Sequence, residues 1–123
     1  MKQALLDTNF ILTCVRQKID FFEDIKFMGM KIIIPIPVIE EIKRVASSKQ
    51  KAHSKDAAEL ALRILEKNNF KKIKLDKKPV DNGIKDFANK NKNVIVATLD
   101  RELKNKIKGN KLVIRGKKTL EVM

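Results

Sequence analysis

Leu5-Leu6-Asp7-Thr8-Asn9-Phe10 sets a carboxylate where an apolar run stops and a polar turn begins. A short run of apolar β-formers bounded by a turn predicts a buried strand, so Asp7 stands just past a strand end. The same arrangement returns near the other terminus, in Asn93-Val94-Ile95-Val96-Ala97-Thr98-Leu99-Asp100. In an open parallel sheet the carboxyl ends of central strands meet at one crevice, beside the point where strand order reverses, and ligands bind there. Asp7 and Asp100 are therefore expected at one place. Glu40 and Glu41 in Pro37-Val38-Ile39-Glu40-Glu41-Ile42, and Asp81 in Val80-Asp81-Asn82-Gly83-Ile84, follow the same logic, each opening a helix after an expected strand.

The rest of the chain alternates in the way such a sheet needs. Strands are expected at about residues 3–6, 31–34, 72–76, 93–98 and 111–115. Helical turns are expected at about 9–28, a helix from Pro37 to about Ala46, and a long helix after Ser54 as N-cap. Two more should run from Val80 to Asn91 and from Arg101 to Lys108, the latter stopped by Gly109. Between Ala46 and His53 the sequence reads as a polar loop carrying Lys49 and Lys51. The fold class that follows is α/β, a three-layer α/β/α sandwich whose central parallel sheet has about five strands joined by right-handed crossovers. No linker, repeat or low-complexity tract divides residues 1–123, so a single domain with one core is expected.

Charge narrows the partner. The chain carries 28 Lys and Arg against 15 Asp and Glu, a formal charge of +13. Such a field draws in polyanions, which makes nucleic acid the leading partner class. A membrane surface would need a basic amphipathic helix with a wide apolar face, and a solvated lysine-rich surface is the plain alternative. Cys14 is the single cysteine and lies in an apolar run, which excludes an internal disulfide and reads as a small buried hydrophobe. With no long apolar segment and no cleavable leader pattern, a cytoplasmic location and no membrane partner are expected. His53, the only histidine, has no partner near it in sequence and is not expected to act in catalysis. Six phenylalanines are the only aromatic residues, which favours recognition of backbone and shape over base stacking.

Each acid also has a plainer role. Asp7 and Asp100 could simply cap helices by accepting free amide hydrogens, Asp81 could do the same, and Glu40 and Glu41 could be solvated acids of a first helical turn. Gathering several carboxylates at one sheet edge costs repulsion, which a divalent cation with hard-oxygen preference, Mg²⁺ or Mn²⁺, would offset. Thr8, Asn9 and Thr98 lie beside these acids and could orient them or a water.

Taken in order, Asp7 in LDTNF, Glu41 in PVIEEI, Asp81 in VDNGI and Asp100 in VATLDREL resemble the PIN-domain nuclease family over nearly the whole chain. The likeness is nearest to small stand-alone archaeal PIN proteins, to their relatives in ribosomal RNA processing and to VapC-type toxins. It implies a PIN-like, Rossmann-like sandwich and an endoribonuclease that hydrolyses RNA phosphodiesters with Mg²⁺ or Mn²⁺. Asp7, Glu41, Asp81 and Asp100 match the family's catalytic and metal-binding acids. Glu41 is preferred to Glu40 because the family's acid directly precedes an aliphatic residue, here Ile42, and one helical step turns Glu40 away by about 100°. Thr8, Asn9, Asn82, Thr98 and Glu102 would support those acids. Lys43, Arg44, Lys49, Lys51, Arg101 and Lys104 would contact single-stranded or structured RNA. A second copy of the chain, a ribosomal precursor or a cognate antitoxin are the partners so implied.

One departure stands out: many relatives have two adjacent acids where this chain has Asp81-Asn82. It motivates a rival reading, an RNA-binding module of the same fold with little or no cleavage. A phosphoryl-accepting Asp7 is a third reading, but Asn9 stands where that signature needs a second aspartate.

Overall fold

A computed structural model describes every residue except Gln50, Lys51, Lys77 and Lys117, and leaves aside the side chains of Ala52 and His53. Its centre is a six-stranded sheet of β1 (Gln3–Leu6), β2 (Lys31–Pro35), β3 (Lys71–Ile73), β4 (Val94–Ala97), β5 (Lys111–Arg115) and β6 (Thr119–Val122), in the order β3-β2-β1-β4-β5-β6. The first five run parallel and β6 pairs antiparallel with β5. Strand order reverses between β1 and β4, whose registers pair Leu6 with Ala97, so the strand ends that precede Asp7 and Thr98 lie side by side.

Alternation along the strands builds two apolar layers. Ala4, Leu6, Ile32, Ile34, Ile95 and Ala97 face one side and pack with α1 (Thr8–Arg16), α2 (Phe21–Phe27), α3 (Ile36–Ser47) and α4 (Ala52–Lys67). Leu5, Ile33, Val94 and Val96 face the other and meet Ile84 and Ala88 of α5 (Val80–Lys90) and Leu103 of α6 (Arg101–Lys106). Both faces being covered explains why β1, β2 and β4 read as continuous apolar runs rather than alternating ones. Each buried Leu or Ile contributes about 1.5–3 kcal/mol, and they hold the strand ends rigidly in register. No helix among the described residues is long and apolar enough to cross a membrane.

Several expectations need correction. The sixth strand was not foreseen, because Thr119-Leu120-Glu121-Val122 is short and exposes all but Leu120. It pairs back through a turn in which Gly116 takes a φ of 60°, a conformation that glycine adopts without steric cost. The helical turns of residues 9–28 are two helices, broken at residues 17–20, where Asp20 caps α2 by accepting from the Glu23 amide at 3.2 Å. Ser54 is not an N-cap: α4 begins at Ala52, and the Ser54 hydroxyl instead accepts from Arg16 at 3.5 Å. The polar loop after α3 is shorter than expected because helix occupies Ala46, Ser47, Ala52 and His53, and its Lys51 lies outside the described residues. Gly109 does not stop α6, which ends at Lys106.

Lys18 takes a φ of 58°, left-handed backbone at which helix ends usually carry glycine. Its amide donates to Val15 at 3.2 Å, and the next amide, Ile19, donates to Cys14 at 2.8 Å, so the turn closes α1. A side chain there costs about 1–2 kcal/mol. Lys18→Gly is expected to raise stability by about 1 kcal/mol in urea unfolding; an unchanged or lowered midpoint would show that the turn is not strained.

Candidate active site

The carboxyl edge of the sheet, at the β1/β4 reversal, gathers the acids. Asp7 follows β1 directly and is 8% exposed. Its Oδ1 accepts from the Thr8 amide at 2.8 Å, capping α1, and its Oδ2 accepts from the Thr98 hydroxyl at 2.9 Å. Its own amide donates to Ala97 at 3.0 Å, continuing the β1/β4 ladder by one step. Thr98, fully buried, follows β4 and turns its hydroxyl oxygen to accept from the Asp100 amide at 3.1 Å. One hydroxyl thus ties the two aspartates together.

Asp100 caps α6, its Oδ1 accepting from Glu102 at 2.9 Å and from Leu103 at 3.5 Å. Both capping bonds go to Oδ1, so Oδ2 takes no part in the cap. The capping role expected for Asp7 and Asp100 is real, and it coexists with convergence: it fixes where each carboxylate points. Asp81 does not cap; α5 begins after Pro79, which makes no side-chain cap, and Asp81 sits half-buried in its first turn. Glu40 and Glu41 are not first-turn acids either, since α3 begins at Ile36 and carries no acid in its first turn. Both are exposed.

Electrostatics shows which acids share a field. Burial pushes the Asp7 carboxyl above its ordinary value of 3.8, the Thr98 and Thr8 hydrogen bonds pull it back, and the charges of Asp81 and Glu41 raise it further. Asp81 is also raised, by partial burial and then by Asp100, with Lys106 opposing and Glu102 and Glu41 adding to the rise. Five acids, Asp7, Glu41, Asp81, Asp100 and Glu102, are therefore coupled at one edge, and Glu40 is absent from the causes of both shifts. Among the described residues no three of them stand close enough to grip one ion directly. Exposed Glu41 and half-buried Asp81 have room to move, whereas Asp7 and Thr98 are fixed in the interior.

Of the supporting residues, Thr8 is buried at the head of α1, while Asn9, Asn82 and Glu102 are exposed. Lys43, Arg44, Lys49 and Arg101 are exposed and Lys104 is half-buried. Lys106 belongs to a run of C-terminal basic residues dense enough in sequence to contact phosphates, but its action on Asp81 was not foreseen. Its signal was the spacing of four from Glu102 on α6, which puts the two on one helix face.

A family model described as a PIN-like domain matches residues 4–117. Ribonuclease VapC4 of Methanocaldococcus jannaschii is 36% identical over 129 residues, spanning 99% of this chain and 97% of that protein. The solved PIN domain endonuclease Utp24 has a TM-score of 0.78 and 26% identity, covering 98% of this chain and 90% of that one. A domain of a functionally unknown M. jannaschii protein shares the fold, with a TM-score of 0.63 and 20% identity over 100% of this chain and 99% of its own. With its acids coupled at the strand-order reversal and both sequence and structure matching end to end, the chain belongs to the PIN-like domain family.

Proposed function

We propose that the chain is an endoribonuclease that hydrolyses RNA phosphodiesters at the Asp7–Asp100 edge with Mg²⁺ or Mn²⁺. The observation that carries this reading is the Thr98 hydroxyl, which donates to Asp7 and accepts from the Asp100 amide at the sheet's reversal point. The donor set fits such an ion. It is made of carboxylate oxygens, and these cations are commonly held through one or two carboxylates with several waters retained, which does not require three acids bound directly to the ion. When bound, the ion supplies positive charge for the phosphoryl oxygens and makes water more acidic.

The residues divide the remaining work. Asp7 and Asp100 hold fixed positions, while Asp81 and Glu41 add negative charge from α5 and α3 and Glu102 from α6. Thr8 and Thr98 orient Asp7; Asn9 and Asn82 offer neutral polar groups. Lys43, Arg44, Lys49, Arg101 and Lys104, together with Lys51, would take the RNA backbone. Structured ribosomal precursor RNA is the first substrate to test, given the resemblance to ribosomal-RNA-processing PIN proteins; the likeness to ribonuclease VapC4 makes a toxin role the alternative. We place the activity in the cytoplasm, with a second copy or a ribosomal precursor supplying specificity.

The test is incubation with end-labelled single-stranded and hairpin RNAs in Mn²⁺, Mg²⁺ or EDTA. Cleavage that needs the metal and disappears in Asp100→Asn supports the proposal. Binding without scission would favour the non-cleaving module that Asn82 motivates, and cutting that survives the substitution would point to a contaminant. Within the same assay Glu41→Gln is expected to slow cleavage by about tenfold or more, a loss of roughly 1.4 kcal/mol of barrier stabilisation, while Glu40→Gln stays near wild type. Equal effects would show that the field at Asp7 and Asp81 does not single out Glu41.

A further inference from the structure

At the opposite end of the sheet from the acids lies a groove of about 1160 Å³, between α2 and the C-terminal half of α4 and over the starts of β1, β2 and β3. Phe22, Met30, Ile64 and Phe70 form its apolar floor, Phe22 and Met30 buried and Ile64 and Phe70 half-buried, with the two rings 6.2 Å apart and tilted by 51°. Lys18, Lys26, Lys31, Lys67 and Lys71 also line it, all exposed. Among the described lining residues the only acids are Asp20, whose carboxylate caps α2, and Glu23. Among the described residues no ion pair joins any of these lysines to an acid. The amides of Gln3 and Asn69 border the same space.

Lysines spaced around an apolar floor suit a single-stranded nucleic acid, because the cations follow its backbone while the floor takes the edges of its bases. Backbone strain marks the same rim. Lys18 keeps a lysine in left-handed backbone where glycine would be cheaper, and strain of that kind concentrates at functional positions. β1 joins the two ends of the molecule, from Gln3 at the groove to the residue before Asp7, a span of about 10 Å.

We infer that this groove is a second RNA-binding site, which takes a single-stranded segment flanking the cleaved region, with its phosphates on the rim lysines and a base edge against half-buried Phe70. The inference rests on RNA being the ligand of the acidic edge. It deepens that reading by giving the substrate a second point of attachment remote from the acids.

The test is fluorescence anisotropy of a labelled single-stranded RNA with the full chain in EDTA, across a salt series. Lys18→Gln/Lys31→Gln/Lys67→Gln is compared with wild type and with a charge-matched control, Lys85→Gln/Lys108→Gln/Lys118→Gln. Each phosphate left without its lysine lowers the salt slope of log affinity by about 0.7, so the groove variant should show a slope smaller by about 2 and bind about tenfold or more weakly, with the control much closer to wild type. RNA carrying 4-thiouridine should crosslink to the peptide that contains Phe70. Equal losses in groove and control variants, or crosslinks confined elsewhere, would overturn the inference. So would a groove that binds an acidic amphipathic peptide while RNA binding ignores the rim lysines. Wild-type cleavage of a short RNA in Mn²⁺ is measured in parallel. Lysine-dependent binding without cleavage would remove the nuclease reading and leave the groove; cleavage with lysine-independent binding would do the reverse.

Discussion

Asp7→Asn is expected to cripple cleavage and, in EDTA, to make the protein more stable. Burial holds the Asp7 carboxyl above 3.8, with the Asp81 and Glu41 charges adding to the rise. The folded chain therefore binds this proton more tightly than the unfolded chain does. Its contribution to stability is complete below about pH 4 and is lost as pH rises through the folded value, so at neutral pH the ionised group opposes folding. Asparagine removes the charge and keeps the Oδ1 that accepts from Thr8. It loses the acceptor for the Thr98 hydroxyl, an offset of about 1 kcal/mol that reduces the gain. Activity should fall by about 10³-fold, corresponding to roughly 4 kcal/mol of transition-state stabilisation lost with a site carboxylate. Thermal unfolding in EDTA should place the variant above wild type. Added Mn²⁺ should raise only the wild type, by about 2.7 kcal/mol at a hundred times its dissociation constant. A variant less stable than wild type in EDTA, or one equally stabilised by Mn²⁺, would show that Asp7 is a cap and nothing more.

That conflict between stability and site is why the fold was easier to read than the chemistry. Ala4-Leu5-Leu6 and Val94-Ile95-Val96-Ala97 are buried on both faces, so their apolar runs announce central parallel strands, and the residues that follow them had to meet at the reversal. β6 left no such trace, being an edge strand with a single buried residue. The break at residues 17–20 was hidden because its turn uses Lys18 rather than glycine, which removes the usual signal of a helix end. At the site, capping and convergence shared one signature: an acid before a helix reads the same whether or not another acid faces it. Only the tertiary placement separates Asp100, which caps α6, from Asp81, which lies within the first turn of α5 and caps nothing. Glu41 and Glu40 differ by one helical step, and the field that Glu41 alone adds to both Asp7 and Asp81 distinguishes them. The groove beneath α2 and α4 was not legible, since its lysines come from segments far apart in sequence.

Thr98→Val should damage both stability and activity, unlike Asp7→Asn. Valine matches threonine in shape, so the buried position stays filled while the Asp7 Oδ2 loses its hydroxyl donor and the Asp100 amide loses its acceptor. Removing one partner from a buried carboxylate costs about 1.5–3 kcal/mol, and unfolding in EDTA should fall by about that amount. The hydroxyl bond is one of the influences that hold the Asp7 carboxyl down, so its loss raises that group further. The acid limb of the rate profile should then move to higher pH, because a larger fraction of Asp7 is protonated at a given pH. Loosening the tie between Asp7 and Asp100 by about 1 Å should lower kcat by about a hundredfold even at alkaline pH, where Asp7 is ionised in both proteins. Thr98→Ser restores the hydroxyl and should recover the pH profile and most of kcat, while staying somewhat less stable for want of a buried methyl. A valine variant with the wild-type profile, or a serine variant as impaired as valine, would reduce Thr98 to packing and dissolve the link between the two aspartates.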